Sequence, residues 1–282
     1  MARLDGQPRG MSGPAGKPPR FPLRLEQVGP AGTSGKPTVL RPQAPLQQAH
    51  ADAVRRVAPS GLGLDSADVR RRMVQRLQAQ GLRHEAVVAA LSAVPRHAFV
   101  DAALATQAYE DTSLPIGLGQ TISKPSVVGR MIELLLHGAT ARAAGSLGRT
   151  LEIGTGCGYQ AALLAQLSRQ VVSIERLKPL HDKARYNLAA LRMTNLRLVY
   201  GDGMRGHPPN APYDSIIAAA GGEALPQAWL EQLAVGGRLV APLLDPRTNR
   251  QALVVVDRHE GGYEHTVHET VKFVPLKSGL GD

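Results

Sequence analysis

The sequence predicts a doubly wound α/β fold built on a mostly parallel sheet, and three observations carry that expectation. Short aliphatic runs, "RTLEIG", "QVVSIE", "LRLVYGD", "DSIIAAA" and "GRLVAPL", recur along residues 149–243. Helix-compatible stretches at 158–168, about 178–192 and 224–235 separate most of them. The runs are continuously apolar rather than alternating, the pattern of strands buried on both faces of a parallel sheet.

Upstream of this region, order is expected to begin at "DSADVRRRMVQRLQAQG". Asp65 or Ser66 can cap a helix whose Val69, Met73 and Leu77 recur every four residues, and Gly81 suits its end. A second helix, "HEAVVAALSAV", stops at Pro95. "AYEDTSLPIGLGQTISKPSVVGRMIELLL" reads as a glycine-rich loop that turns into a helix near Pro125. At the other end, "QALVVVDRHEGGYEHTVHETVKFVPL" reads as two antiparallel strands joined around Gly261-Gly262. The domain therefore gains helices at its N-terminus and an antiparallel pair at the far edge of its sheet.

Residues 1–65 are rich in Pro, Gly and Ala, and neither a helical nor a strand period survives there. This segment is expected to be a disordered basic extension, with a short helix around "LQQAHADAVRRV", and residues 66–282 to form the folded domain. An organellar transit peptide fits the segment less well, and Met11 and Met73 are alternative start positions. The chain carries a net charge of +10, but the extension alone holds nine Lys and Arg against four Asp and Glu. The positive charge is densest in a solvated tail, which argues against a specific nucleic-acid partner. A single cysteine, Cys157, fits a reducing compartment, no apolar run reaches membrane length, and a secretory signal is not expected. The chain is expected to be cytoplasmic and monomeric.

"LEIGTGCGYQ", residues 151–160, is the first strand-to-helix turn of the alternating region. Ligands of open α/β sheets lie beyond the carboxyl ends of the strands, which makes this turn the place to look. Gly154, Gly156 and Gly158 form G-x-G-x-G, neither the dinucleotide fingerprint nor a P-loop. Glu152 stands in the strand before the loop, where it would repel a pyrophosphate but attract a cation. Glu175 closes the next strand, where a carboxylate can take both hydroxyls of a ribose, and Asp202 closes the third, within reach of an adenine amino group. Carboxylates at three successive strand ends suit a nucleoside without phosphate, and S-adenosylmethionine is such a molecule.

With these residues in place, the sequence resembles the protein-L-isoaspartate O-methyltransferases over roughly residues 66–277. "LPIGLGQTISKP" is similar to the family's substrate loop. "VPRHAFV", "AYED", "GDG", "APYDSIIAAA", "LPQAWLEQLAVGGRLVAP" and "VKFVPL" fall in the family's order and spacing. The resemblance implies a seven-stranded Rossmann-like methyltransferase sheet and methylation, by S-adenosylmethionine, of the free α-carboxylate of isoaspartyl residues in damaged proteins and peptides. The ester then collapses to a succinimide that hydrolyses partly to aspartate. Carried over residue by residue, the resemblance gives Ser123 as the active-site residue, orienting the carboxylate rather than attacking it. Thr121 and Ile122 match the loop over the cofactor, and Glu152, Gly154, Gly156 and Gly158 match the methionine-end pocket. Glu175 matches the ribose ligand and Asp202-Gly203 the adenine contact, while Gln251 aligns loosely with a C-terminal contact. "AAAGGEALP" departs from the family where Gly221-Gly222 stand, so the rim that accepts the peptide is expected to differ.

Two other readings have specific residues behind them. "NAPY", residues 210–213, superficially resembles the motif of amino-methylating nucleic-acid enzymes, but it precedes the fourth strand instead of following it and lacks the second proline. The other is a non-catalytic cofactor-binding module, which intact cofactor positions and Ser123 argue against. His265 and His268 lack a supporting Cys/His cluster, so a metal site is not expected. Cys157, inside the loop, reads as a small packing residue, since transfer to a carboxylate needs no thiol.

Overall fold

The computed structural model describes residues 67–281. The extension, its expected short helix and the capping positions Asp65 and Ser66 lie outside the described residues. The first helix, α1 (Ala67–Ala79), buries Met73, Val74 and Leu77. The chain then turns at Gly81 (φ 113°) into α2 (Glu85–Ala93), which ends before Pro95.

The segment expected as a glycine-rich loop contains a small antiparallel hairpin, β1 (Leu114–Gly117) and β2 (Gln120–Ile122). Local sequence hides it, because two strands this short are held by their surroundings rather than by an alternating pattern. The helix near Pro125 is α3 (Pro125–Leu136), with proline in its first turn, where no N–H is needed. A six-residue helix not anticipated from sequence, α4 (Ala139–Ala144), leads into the sheet.

The alternating region contributes β3 (Arg149–Ile153), α5 (Tyr159–Leu167), β4 (Gln170–Glu175), α6 (Lys178–Ala189), β5 (Leu196–Tyr200) and β6 (Tyr213–Ala218). The helix expected over 224–235 is only α7 (Gln227–Gln232). Leu233 already pairs with Tyr213, so the chain leaves the helix to begin β7 (Leu233–Asp245). The last two strands are β8 (Arg250–His259) and β9 (Gly262–Val271).

The large sheet has the order β5-β4-β3-β6-β7-β8-β9. Its strands are parallel from β5 through β7, and β8 and β9 add antiparallel to that edge. The fold is thus the doubly wound, mostly parallel seven-stranded sheet with an antiparallel C-terminal edge. Strand order reverses beside β3, since β4 lies on one side of it and β6 on the other.

Both faces of the sheet's central strands are buried, whereas the edge strand β9 is largely exposed. Val171, Ile217, Val240 and Val255 enter one core with α1, α2, α3, α5 and α6. Their neighbours Val172, Ile216, Leu239 and Val254 enter the second, against Trp229 of α7. Period-two geometry sends alternate side chains to opposite faces, which explains why these strands read as unbroken aliphatic runs. Among the described residues, no helix is long and apolar enough to cross a membrane.

Candidate active site

A cavity of about 320 Å³ opens at the carboxyl ends of β3, β4 and β6, beside the reversal of strand order. Its wall includes Thr121, Ile122, Ser123, Gly154, Gly156, Glu175 and Gly203. The structure therefore brings together seven of the eleven residues expected at the site. Glu152, Gly158, Asp202 and Gln251 stand outside the cavity wall, each with a different place in the fold.

Glu152 lies beneath the glycine loop and is fully buried. Its Oε2 accepts a hydrogen bond from Ser173 Oγ, and with that proton committed Thr155 Oγ1 donates to Ser173 Oγ at 2.6 Å. Burial pushes the Glu152 carboxyl up to about 8; the nearby Glu175 charge adds to the rise, while Ser173 and Gln160 oppose it. Oε1 of Glu152 and Nε2 of Gln160 nonetheless both lack a partner at hydrogen-bonding geometry.

Gly158 (φ 93°) is the residue before α5, and a Cβ there would stand 2.9 Å from Leu188 Cδ1 of α6. Its glycine is demanded by helix packing as well as by left-handed backbone. Gly154 and Gly156 face the cavity itself.

Glu175, 5% exposed, is locked at the end of β4. Gly156 N–H donates to Oε2 at 2.9 Å and Leu177 N–H to Oε1 at 3.0 Å. Two backbone donors from opposite sides fix the carboxylate without a cation, leaving its remaining lone pairs for a ligand. Asp202 accepts from Met204 N–H at 3.0 Å and from Gly279 N–H at 2.8 Å. It thereby ties the end of β5 to the C-terminal segment, while its neighbour Gly203 reaches the cavity. Gln251, on β8, accepts from Phe273 N–H at 2.6 Å and crosses over Gly221, where a Cβ would lie 2.4 Å from its Nε2. The Gly221-Gly222 pair is thus shaped by Gln251 and by the strand-like segment that ends at Leu276.

On the opposite flank of the glycine loop, the β1–β2 hairpin lays Ile116, Leu118, Thr121 and Ile122 along the cavity, and Ser123 follows directly. Ser123 Oγ makes no hydrogen bond within the described residues. Its carbonyl accepts from Arg96 Nη2 at 2.8 Å. Cys157 also lines the cavity, but burial pushes its thiol up to about 11, so at neutral pH it is not a thiolate.

Arg96, Leu118, Tyr159 and Lys277 have no role expected from the sequence, although the last three line the cavity. The available signal is the position of the first three inside "VPRHAFV", "LPIGLGQTISKP" and "LEIGTGCGYQ", and of Lys277 directly after "VKFVPL".

The glycine-rich loop at the strand-order reversal, with acids at the ends of β4 and β5 and a third beneath the loop, defines an α/β methyltransferase fold with its site in the usual crevice. A solved protein-L-isoaspartate O-methyltransferase superimposes with a TM-score of 0.66 at 26% identity, over 75% of this chain and 67% of that one. A Plasmodium falciparum protein, solved in complex with S-adenosyl-L-homocysteine, matches with a TM-score of 0.62 at 23% identity, over 74% of this chain and 98% of that one. The family model for protein-L-isoaspartate(D-aspartate) O-methyltransferase matches residues 68–281. The protein-L-isoaspartate O-methyltransferase of Methylibium petroleiphilum is 67% identical over 262 residues, which are 93% of this chain and 96% of that one. This chain belongs to the protein-L-isoaspartate(D-aspartate) O-methyltransferase family. A match to 93% of the chain extends upstream of residue 67, so part of the N-terminal extension is shared with that relative.

Proposed function

We propose that this chain methylates the free α-carboxylate of L-isoaspartyl residues in damaged proteins and peptides, with S-adenosylmethionine as donor. The single observation that carries the reading is the convergence of Ser123, with its hydroxyl unengaged, and the Glu175-clasped glycine loop on one cavity. The residues present fit the donor. Glu175 offers a fixed acceptor for a ribose, and Glu152 Oε1, buried and unpartnered, offers one toward the cationic methionine end. When bound, S-adenosylmethionine supplies a methyl group on positively charged sulfur.

An acceptor carboxylate is ionised at neutral pH, so no residue of the chain has to remove a proton. What the chain contributes is alignment in a secluded site, which can be worth roughly 7–11 kcal/mol. Ser123 Oγ donates to the carboxylate and sets its direction. Thr121 and Ile122 wall the donor from the hairpin side, and Gly154 and Gly156 let it approach the backbone. Glu175 holds the ribose, Gly203 meets the adenine, and Asp202 fixes the turn that carries Gly203. Gly158 acts by letting α5 pack on α6, and Gln251 by bracing Gly221 and Phe273.

The folded domain in this reading spans 66–282, with residues 1–65 outside the catalytic unit. The chain acts as a cytoplasmic monomer on isoaspartyl proteins, without a specific nucleic-acid partner.

Labelled-methyl transfer to matched peptides, one isoaspartyl and one aspartyl, tests the activity. Labelling of the isoaspartyl peptide alone is expected; equal labelling of both, or labelling of RNA instead, overturns it. Ser123→Ala is expected to lower kcat/KM for the peptide by roughly 10–100-fold, the scale of one lost charge-assisted hydrogen bond.

A further inference from the structure

Arg96 is fully buried and makes no ion pair among the described residues. Its guanidinium donates instead to neutral carbonyls: Nε to Ala108 at 2.8 Å, and Nη2 to Thr112 at 3.3 Å and Ser123 at 2.8 Å. It lies 4.9 Å from the centre of the Tyr159 ring, and Nη1 is buried with no partner. Asp111 exerts some attraction on it but gives both carboxylate oxygens to Ser126, at 2.9 and 2.8 Å.

A guanidinium stays charged in proteins, and burying a charge without a counter-charge is costly. Neutral donors would satisfy these carbonyls without that cost. The cation also sits at a junction: Ser123, which follows the β1–β2 hairpin, and Tyr159, which follows the glycine loop at the start of α5, both line the cavity. An anion that arrives only with the substrate would complete the charge balance.

We propose that Arg96 is a positioning residue for the acceptor carboxylate, bracing the Ser123 turn through its carbonyl and placing a positive potential where the isoaspartyl α-carboxylate meets Ser123. The inference rests on the reading of Ser123 as the residue that orients that carboxylate.

The chemistry fixes what such a cation does. A carboxylate oxygen bonds the methyl carbon while the carbon–sulfur bond breaks, and the electron pair of that bond stays on sulfur. No proton moves, and the negative charge of the carboxylate and the positive charge of sulfur disappear together. A fixed cation therefore attracts the reactant carboxylate more than the charge-depleted transition state, and it has no hold on the ester. Its contribution falls on peptide binding, and its effect on kcat is a small lowering that removal of the charge relieves.

The test compares Arg96→Lys, which keeps the charge, with Arg96→Gln, which keeps neutral donors, and with Ser123→Ala, all in the full chain. Arg96→Gln is expected to raise the peptide KM about 30-fold with kcat unchanged or up to about threefold higher, while Arg96→Lys stays within about fivefold of wild type. The KM for the methyl donor is expected to be unchanged in both. Equal peptide KM values for the Lys and Gln variants, or peptide and donor KM rising together in step with lost Tm, would reduce Arg96 to a brace of the fold and overturn the proposal. If Ser123→Ala leaves the peptide KM intact while Lys and Gln still diverge, the serine reading fails and the proposal loses its basis in Ser123. If Ser123→Ala is impaired while Lys and Gln behave alike, the serine reading stands and this one falls.

A wild-type measurement covers the case in which Arg96→Gln does not fold. With S-adenosylhomocysteine in place of the donor, the sulfonium charge is gone. An isoaspartyl peptide is then still expected to bind about tenfold tighter than its α-carboxamide analogue, because the Arg96 charge remains. Equal affinities would overturn the proposal.

Discussion

Ser173 Oγ, on β4, donates to Glu152 Oε2, on the neighbouring β3, while the other oxygen of Glu152 is buried without a partner. One carboxylate oxygen is thus fastened to the scaffold and the other is held in reserve beneath the cofactor loop.

This arrangement links pH to both stability and binding. Burial raises the Glu152 carboxyl from 4.5 to about 8, so folding favours its neutral form. The free protein is therefore most favoured by this group below its unfolded pKa and loses that contribution as pH rises through about 8. Glu152→Gln is expected to flatten that decline, raising the Tm of the free protein at pH 8–9 by a few degrees, at about 2–4 °C per kcal/mol. A cationic donor favours the ionised form, so its binding has the opposite sign. Below about pH 8 binding is expected to release a proton and weaken as pH falls. Titration calorimetry in two buffers of different ionisation enthalpy measures this, and heats independent of buffer would contradict it.

Glu175 supports the loop and the ligand together. Glu175→Ala leaves the Gly156 and Leu177 N–H groups without their acceptor. A loss of roughly 2–3 kcal/mol in stability is expected from two buried donors left unpaired. Donor affinity should fall further than stability does, since the ribose acceptor is lost as well. Urea unfolding and equilibrium binding on the same variant separate the two; an unchanged affinity would remove Glu175 from the site.

Gly158 has two reasons to be glycine, and both act on stability. Gly158→Ala places a Cβ at φ 93° and 2.9 Å from Leu188 Cδ1. The expected loss is about 2–4 kcal/mol, combining an unfavourable backbone with overpacking. Measured against Leu188→Ala alone, the cost of Gly158→Ala should shrink by only the packing part, because the backbone conformation is untouched. A Gly158→Ala cost that vanishes in the Leu188→Ala background would show that φ is not strained.

Leu118 is 51% exposed at the tip of the β1–β2 hairpin and adopts φ 52°, between Gly117 and Gly119. A leucine with left-handed backbone is unfavourable by about 1–2 kcal/mol, so Leu118→Gly is expected to leave thermal stability unchanged or slightly higher. Because Leu118 also lines the cavity, the same variant should raise the peptide KM severalfold with donor KM unaltered. A drop in Tm would mean that the side chain serves the fold instead.

These residues also show how far the sequence could be read by itself. The unbroken aliphatic runs, the three glycines after β3 and the acids that close β4 and β5 are local patterns. Each depends on strand periodicity or on the geometry of the next few residues, so fold class, cofactor loop and the carboxylates around it were legible before any coordinates. Ser123, which no local pattern marks, was legible only through its family-like stretch. Other features depended on partners distant in the chain. Arg96 meets Ser123 across 27 residues, and Asp202 meets Gly279 across 77. Leu233 is a strand residue because Tyr213 pairs with it, although its neighbours read as helix. Whether a residue touches a ligand or holds the one that does also lay beyond sequence: Glu175 faces the cavity, whereas Gly158 and Gln251 face other side chains. Local propensity and patterning settle which elements form, but burial and long-range contact exist only once those elements pack, and on them rests which of the sequence's candidates reach the site.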